Sequence, residues 1–270
     1  MMEIQKILIL IDLSEETPSL FTYGLQLAQA WNAEVWVQHI YYIPPDLAGE
    51  VFIPMDALKK YEHQAHKAFE QLKESANLST DREPHFLISH GDFVVQANQL
   101  IDQEGIDLVM VGNRGGGYSA NILGSHTLKA IYHIHGPVLS VPKEALFRPF
   151  HRIAFATDWH NHSPKALDQL IVLARHFKAH LDIIHVSQKH GKPMEEVSRQ
   201  TYDLGEVSHT FYYLWVKEIE EGLQQHLVEH QNDLIVLVPH HHTFFDWLFQ
   251  KSVTRQMAYH TQIPLLTLKE

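Results

Sequence analysis

The chain is 270 residues long and 45% hydrophobic, with 32 acidic against 21 basic residues, a formal net charge of −11 and no cysteine. That length and apolar content suit one large domain or two of ordinary size and exclude a disordered chain. No basic tract exceeds two residues and no apolar run approaches a membrane span, so nucleic-acid and membrane partners are not expected. The missing thiols exclude disulfides, thiolate metal sites and cysteine catalysis. The N-terminus, MMEIQKILILID, reads as a strand and not as a signal peptide, and a cytoplasmic protein is expected. Histidine is the oddity of the composition, at 22 residues, and makes the net charge climb as pH falls through ~6.5.

Lys6 to Ile11 is the first predicted strand, ending at Asp12. Thr17 as cap and Pro18 as first residue open a helix whose Leu20, Gly24, Leu27 and Trp31 share one face. Val35 to Ile40 is the second strand, and the proline-containing stretch 41–54 reads as a loop. A helix is marked by Leu58, Tyr61, Ala65, Ala68, Leu72 and Ala76, followed by a short strand from His85 to Ser89. Gly91-Asp92 turns into a helix carrying Val94, Ala97 and Ile101, which Gly105 closes. Ile106 to Val111 is the next strand, then a helix from Ser125 to about His133 and a strand from Val138 to Val141.

The pattern then starts again. Shifted by 146 positions, Ile7, Asp12, Pro18, Ala28, Ala33 and His39 fall on Ile153, Asp158, Pro164, Ala174, Ala179 and His185. Near the end the shift is 127, and Ser125, Thr127, Tyr132, His133 and Pro137 fall on Ser252, Thr254, Tyr259, His260 and Pro264. Matches at helix starts and strand ends indicate an internal duplication. The expected domains are 1–144 and 150–270. Each alternates strands and helices, so the fold class is α/β: two tandem doubly wound, Rossmann-like parallel-sheet domains.

The stretch Val109 to Thr127, VMVGNRGGGYSANILGSHT, passes from a strand through a glycine loop to a helix start carrying hydroxyls. Glycines permit close backbone approach, and free N–H groups at a helix N-terminus attract anions, so this is a candidate phosphate pocket. Asp12, Ile40 and Gly112 end three strands on the rim where open α/β sheets bind ligands.

With these features the first half resembles the ATP-binding branch of the universal stress protein family, and the whole chain resembles its tandem members. The resemblance rests on Asp12, His39-Ile40, Gly91-Asp92 and the glycine motif. In that branch the motif is glycine, two residues, glycine, nine residues, glycine, then serine or threonine. Here Gly112, Gly115 and Gly124-Ser125 fit with eight residues in the long gap. The resemblance implies ATP, with Mg²⁺, as ligand. Asp12 would lie near the ribose or the ion, and Ile40 would offer its main chain to adenine. Gly112 and Gly115 would pass close to ribose and phosphates. Gly124, Ser125 and His126 would hold the phosphates, with Arg114 adding a charge-assisted contact. It also implies a regulatory protein responding to stress, in which the last strands of the two halves pair and two chains can associate as a homodimer.

The second half departs from this pattern. Where the first has VGNRGGG, it has Pro239-His240-His241-His242-Thr243-Phe244-Phe245, Lys251 replaces Gly124, and no glycine follows Gly222. Bulky side chains resist φ > 0, so this half is read as having lost its nucleotide site. His160, His162 and His240 to His242 follow two strands expected to be neighbours and could converge on Zn²⁺, but no sequential ligand spacing assigns a metal. The aromatics Phe244, Phe245, Trp247 and Phe249 are expected to pack against a neighbouring domain or a partner.

No catalytic residue is assigned. The chain has neither a G-x4-GK[ST] loop nor a G-x-S-x-G elbow, and the sequence shows no partner that would make Asp12 or His126 a general base. Slow ATP hydrolysis is the enzyme alternative. A scaffold of the same family that binds no nucleotide is the other.

Overall fold

The computed structural model describes residues 4–42, 55–75, 83–113, 125–157, 164–187, 204–238 and 263–269. The described residues before Arg148 form one compact unit and those from Arg148 onward a second. None of the described helices is long and apolar enough to cross a membrane.

In the first unit the elements run β1 (Lys6–Ile11), α1 (Thr17–Trp31), β2 (Glu34–Tyr41), α2 (Met55–Ser75), β3 (His85–His90), α3 (Phe93–Glu104), β4 (Leu108–Gly112), α4 (Ser125–His133) and β5 (Val138–Val141). The strands lie in the order β3-β2-β1-β4-β5, and every resolved pairing is parallel. A parallel sheet covered on both faces needs strands that are apolar throughout. Ile7, Leu8 and Ile9 in β1 and Met110 in β4 are accordingly fully buried. Chain order reverses direction between β1 and β4, so a crevice is expected beyond the carboxyl ends of those two strands.

Helix boundaries follow local chemistry. α1 begins at Thr17 itself, one residue earlier than the sequence reading, because a turn in which the Thr17 N–H donates to the Ser14 carbonyl (3.1 Å) brings Glu16 into the capping position. Asn32 ends it in the left-handed region at φ 54°. Gly105, at φ +66°, ends α3 as its sequence position predicts. β4 starts at Leu108 and not at Ile106, since the Ile106 N–H is still held by the Ile101 carbonyl of the helix (3.1 Å).

The second unit comprises β6 (Arg152–Thr157), α5 (Pro164–Phe177), β7 (His180–Ser187), β8 (His209–Trp215), α6 (Ile219–Glu229), β9 (Leu234–Leu237) and β10 (Leu265–Thr267). Its strand order, β8-β7-β6-β9-β10, and its parallel pairings repeat the first unit. The repeat extends to side chains. One Asp107 oxygen accepts the Gln5 and Lys6 N–H groups (2.8 and 2.9 Å), and one Asp233 oxygen accepts those of His151 and Arg152 (2.6 and 2.8 Å). Left-handed Asn32 and Lys178 are 146 positions apart. The duplication legible in the sequence is thus present in the fold.

Candidate functional site

A cleft opens beyond the carboxyl ends of β1, β2 and β4, where Asp12, Ile40 and Gly112 lie. The turn before α1 supplies Ser14 and Glu16, α1 supplies Thr17, α3 supplies Phe93, and α4 supplies His126 and Thr127. Its empty space, part of it open to solvent, is about 660 Å³.

Hydrogen bonds fix these walls. The Thr127 hydroxyl donates to the Gly112 carbonyl (2.7 Å), tying the first turn of α4 to the end of β4. Beside it the Asn113 N–H donates to the Val141 carbonyl (3.0 Å), and the Ser140 hydroxyl donates to the Asn113 side chain (3.2 Å). An Asp12 carboxylate oxygen accepts the Ser14 N–H (3.0 Å), an Asx-type turn that sets the chain leaving β1. Gly91 has φ +134°, a backbone state that L side chains rarely adopt, which places Asp92 to cap α3. One oxygen of Asp92 accepts the N–H groups of Val94 and Val95 (2.9 and 3.1 Å). Phe93 then faces His126 in a parallel stack, centroids 4.5 Å apart and planes within 4°. Removing the cap in Asp92→Ala is expected to cost about 0.5–2 kcal/mol. Denaturant titration measures it, and an unchanged midpoint would contradict this account of the turn.

His39 lies opposite Ile11 in the register, and its Nδ1 is 3.0 Å from the Ile11 carbonyl oxygen. A carbonyl only accepts, so Nδ1 carries the proton and Nε2 is left as an acceptor. The same latch joins His185 to the Thr157 carbonyl (3.2 Å) in the second unit. Burial pushes the His39 pKa down, against the opposing effects of the Ile11 carbonyl and Asp12. His126 is also pushed down, first by burial and then by Lys129, with Asp12 and Asp92 opposing. Because His39 is harder to protonate folded than unfolded, the unfolded chain binds more protons as pH falls below ~6.5. Its contribution to stability is intact above that pH and shrinks below it, until the pH passes the folded pKa. Denaturation between pH 8 and 5 should show a smaller acid loss in His39→Gln than in wild type, and equal losses would refute the assignment.

The structure therefore brings together four residues singled out by sequence: Asp12, Ile40, Gly112 and His126. Ser125 is the first residue of α4. Arg114, Gly115 and Gly124 lie outside the described residues, as do the histidines at 160, 162 and 240–242. Sequence reasoning overlooked Phe93 and Thr17 as wall residues. Phe93 had a signal, since it follows the Gly-Asp turn on the rim. The Thr17 hydroxyl oxygen is buried and makes no hydrogen bond to the described protein, an orphaned polar atom that a polar ligand would satisfy.

A parallel sheet in the order 3-2-1-4-5 with a cleft at its switch point defines a doubly wound α/β domain. The sequence profile of the Universal stress protein family matches residues 3–142, and the chain belongs to that family. No curated protein matches the chain. Among solved structures it is similar to a universal stress protein from Archaeoglobus fulgidus DSM 4304, at 16% identity and a TM-score of 0.75, covering 99% of this chain and 97% of that one. It is also similar to a putative universal stress protein from Pseudomonas aeruginosa UCBPP-PA14, at 13% identity and a TM-score of 0.57, covering 98% and 93%. At such identities the likeness is one of fold, extending over both units.

Proposed function

We propose that this protein is a stress-response regulator that holds one adenine nucleotide, ATP with Mg²⁺, in the cleft of its first domain. The observation that carries the reading is the convergence of Asp12, Ile40, Gly112 and His126 from four separate elements on one cleft at the sheet's switch point. The residues fit the group: a helix N-terminus for phosphates, a carboxylate for the ion, and the orphaned Thr17 hydroxyl. Arg114, Gly115, Gly124 and Ser125 complete the phosphate side as the sequence motif assigns them. Bound ATP supplies a polyanion whose preference for one conformation shifts the protein toward it. Ile40 offers its main chain to the base, and the Phe93 ring holds His126 flat beside the first turn of α4.

Calorimetric titration with Mg-ATP tests this, alongside a phosphate-release assay. Wild type is expected to bind one equivalent, and Asp12→Ala to bind more weakly with its dependence on Mg²⁺ reduced. Unchanged binding in Asp12→Ala would remove Asp12 from the site. Phosphate release that is lost in Asp12→Ala while binding survives would make the protein a slow ATPase.

A further inference from the structure

A polar cluster is buried in the second domain at the amino ends of its strands. Asp182 on β7 is fully buried, His226 on α6 is 3% exposed, and Asn232 is 4% exposed. One Asp182 oxygen, Oδ2, accepts hydrogen bonds from Arg152 Nε (2.7 Å) and Asn232 Nδ2 (2.9 Å), with His226 Nε2 at 3.3 Å. The other oxygen, Oδ1, is buried and makes no hydrogen bond to the described residues; His180 Nε2 stands 3.6 Å from it and is engaged by Thr210 (2.9 Å). His226 and His230 are four residues apart at the end of α6, so both imidazoles project from one face, with ring centroids 4.1 Å apart. Tyr212 packs against both rings (4.5 and 4.7 Å), and its hydroxyl accepts from Arg152 (2.9 Å).

The fold does not require this cluster. By the shared shift of 146, Asp182 and Arg152 correspond to Trp36 and Lys6. By the common role of Asp107 and Asp233, His226 and Asn232 correspond to Leu100 and Ile106. The first domain closes the same corner with Trp36, Leu100 and Ile106, while Glu104, in the place of His230, pairs with Lys6 (3.6 Å), whose ammonium stands 6.0 Å from the indole. Burying an unsatisfied carboxylate oxygen beside two imidazoles is costly where hydrophobic residues serve the same packing, so the cluster calls for a ligand.

We infer that Asp182, His226 and His230 form a binding site for a divalent transition-metal ion of the Zn²⁺ type. One ligand atom from each residue lies within 4.8 Å of the other two. Two imidazoles and a carboxylate suit Zn²⁺ and its neighbours better than Ca²⁺ or Mg²⁺, which prefer oxygen cages. Asp182 supplies the carboxylate ligand, while Arg152 and Asn232 hold its Oδ2 as the supporting shell of hydrogen bonds that ligating carboxylates ordinarily have. The Arg152 guanidinium opposes a cation and makes the site weaker than a closed structural one. This site is independent of the nucleotide reading and uses none of the histidines at 160, 162 and 240–242.

The test uses the full chain, stripped with chelator and dialysed against Zn²⁺, with bound metal measured by atomic emission. A folded His230→Gln variant is expected to bind one Zn²⁺ fewer than wild type, whereas His133→Gln, at an exposed histidine of the first domain, binds as wild type does. Because the variant could lose structure, wild type is also treated with diethyl pyrocarbonate and mapped by mass spectrometry. Zn²⁺ is expected to slow modification of His230 several-fold. Equal zinc content in a folded His230→Gln, or a His230 that Zn²⁺ does not protect, would overturn the site.

Discussion

Asp182→Ala is expected to destabilise the second domain by about 3–5 kcal/mol in metal-free protein. The carboxylate is fully buried and one of its oxygens takes hydrogen bonds from Arg152, Asn232 and His226. Burial alone would push its pKa up, but the hydrogen bonds from His226, Arg152 and Asn232 outweigh that and hold the carboxyl below the ordinary range. Truncation leaves the partly buried Arg152 guanidinium without its countercharge and the Asn232 amide without an acceptor. That penalty, more than the net attraction of the pair, sets the size of the effect. Asp102→Ala is the comparison, since Asp102 meets His135 with both side chains 62% exposed. That pair should contribute at most about 1 kcal/mol. Denaturant titration followed in each domain's own transition reads both values. Similar losses in the two variants would show that the cluster does not hold the second domain together.

Gly24→Val is expected to cost about 1–3 kcal/mol in the first domain, through overpacking. A Cβ at Gly24 would sit 2.3 Å from Ile9 Cδ1, 3.1 Å from Ile9 Cγ1 and 3.4 Å from the Met110 sulfur. Ile9 and Met110 are both fully buried in the central strands, so neither can turn out into solvent. Ile9 must therefore change rotamer within the packed core or the helix must lift from the sheet, and the better helix propensity of valine offsets only a few tenths of a kcal/mol, about half the glycine penalty. α1 begins at the cleft wall with Thr17, so a displaced helix should also weaken nucleotide binding. In the second domain the equivalent position is Leu170, itself fully buried, so this close approach belongs to the first domain alone. A variant with unchanged stability and unchanged Mg-ATP affinity would contradict the packing described for α1.

Much of this fold was legible because its signals are local and repeated. The bounds of β1 and β5 coincide with the sequence reading, since apolar runs bounded by Asp12 and by Pro137 and Pro142 leave little choice. Gly105 and Asp92 mark α3 by the chemistry of helix ends. The start of α1 was misplaced by one residue, because a backbone turn at Ser14 and not a side-chain cap decides it. The cleft was readable as far as topology carries it, since residues ending parallel strands must share a rim. Phe93 and Thr17 escaped notice because their roles come from tertiary placement, a stack on His126 and a buried hydroxyl without a partner. The Asp182 cluster was hidden for a related reason. His226 and His230 show ligand spacing on a helix, but their carboxylate lies more than forty residues earlier, on a strand that only the sheet order brings alongside.

The central claim is that the first domain, and only the first, holds an adenine nucleotide. Its most direct test is to denature protein purified without added nucleotide, then identify and count the released small molecules by chromatography and absorbance. The account predicts close to one adenine nucleotide per chain, lost in Gly115→Val, whose side chain would obstruct the glycine motif. Close to two per chain would contradict the loss of the second site. No nucleotide, together with no heat on titration with Mg-ATP at several temperatures, would contradict the nucleotide reading altogether and leave a scaffold of the same family.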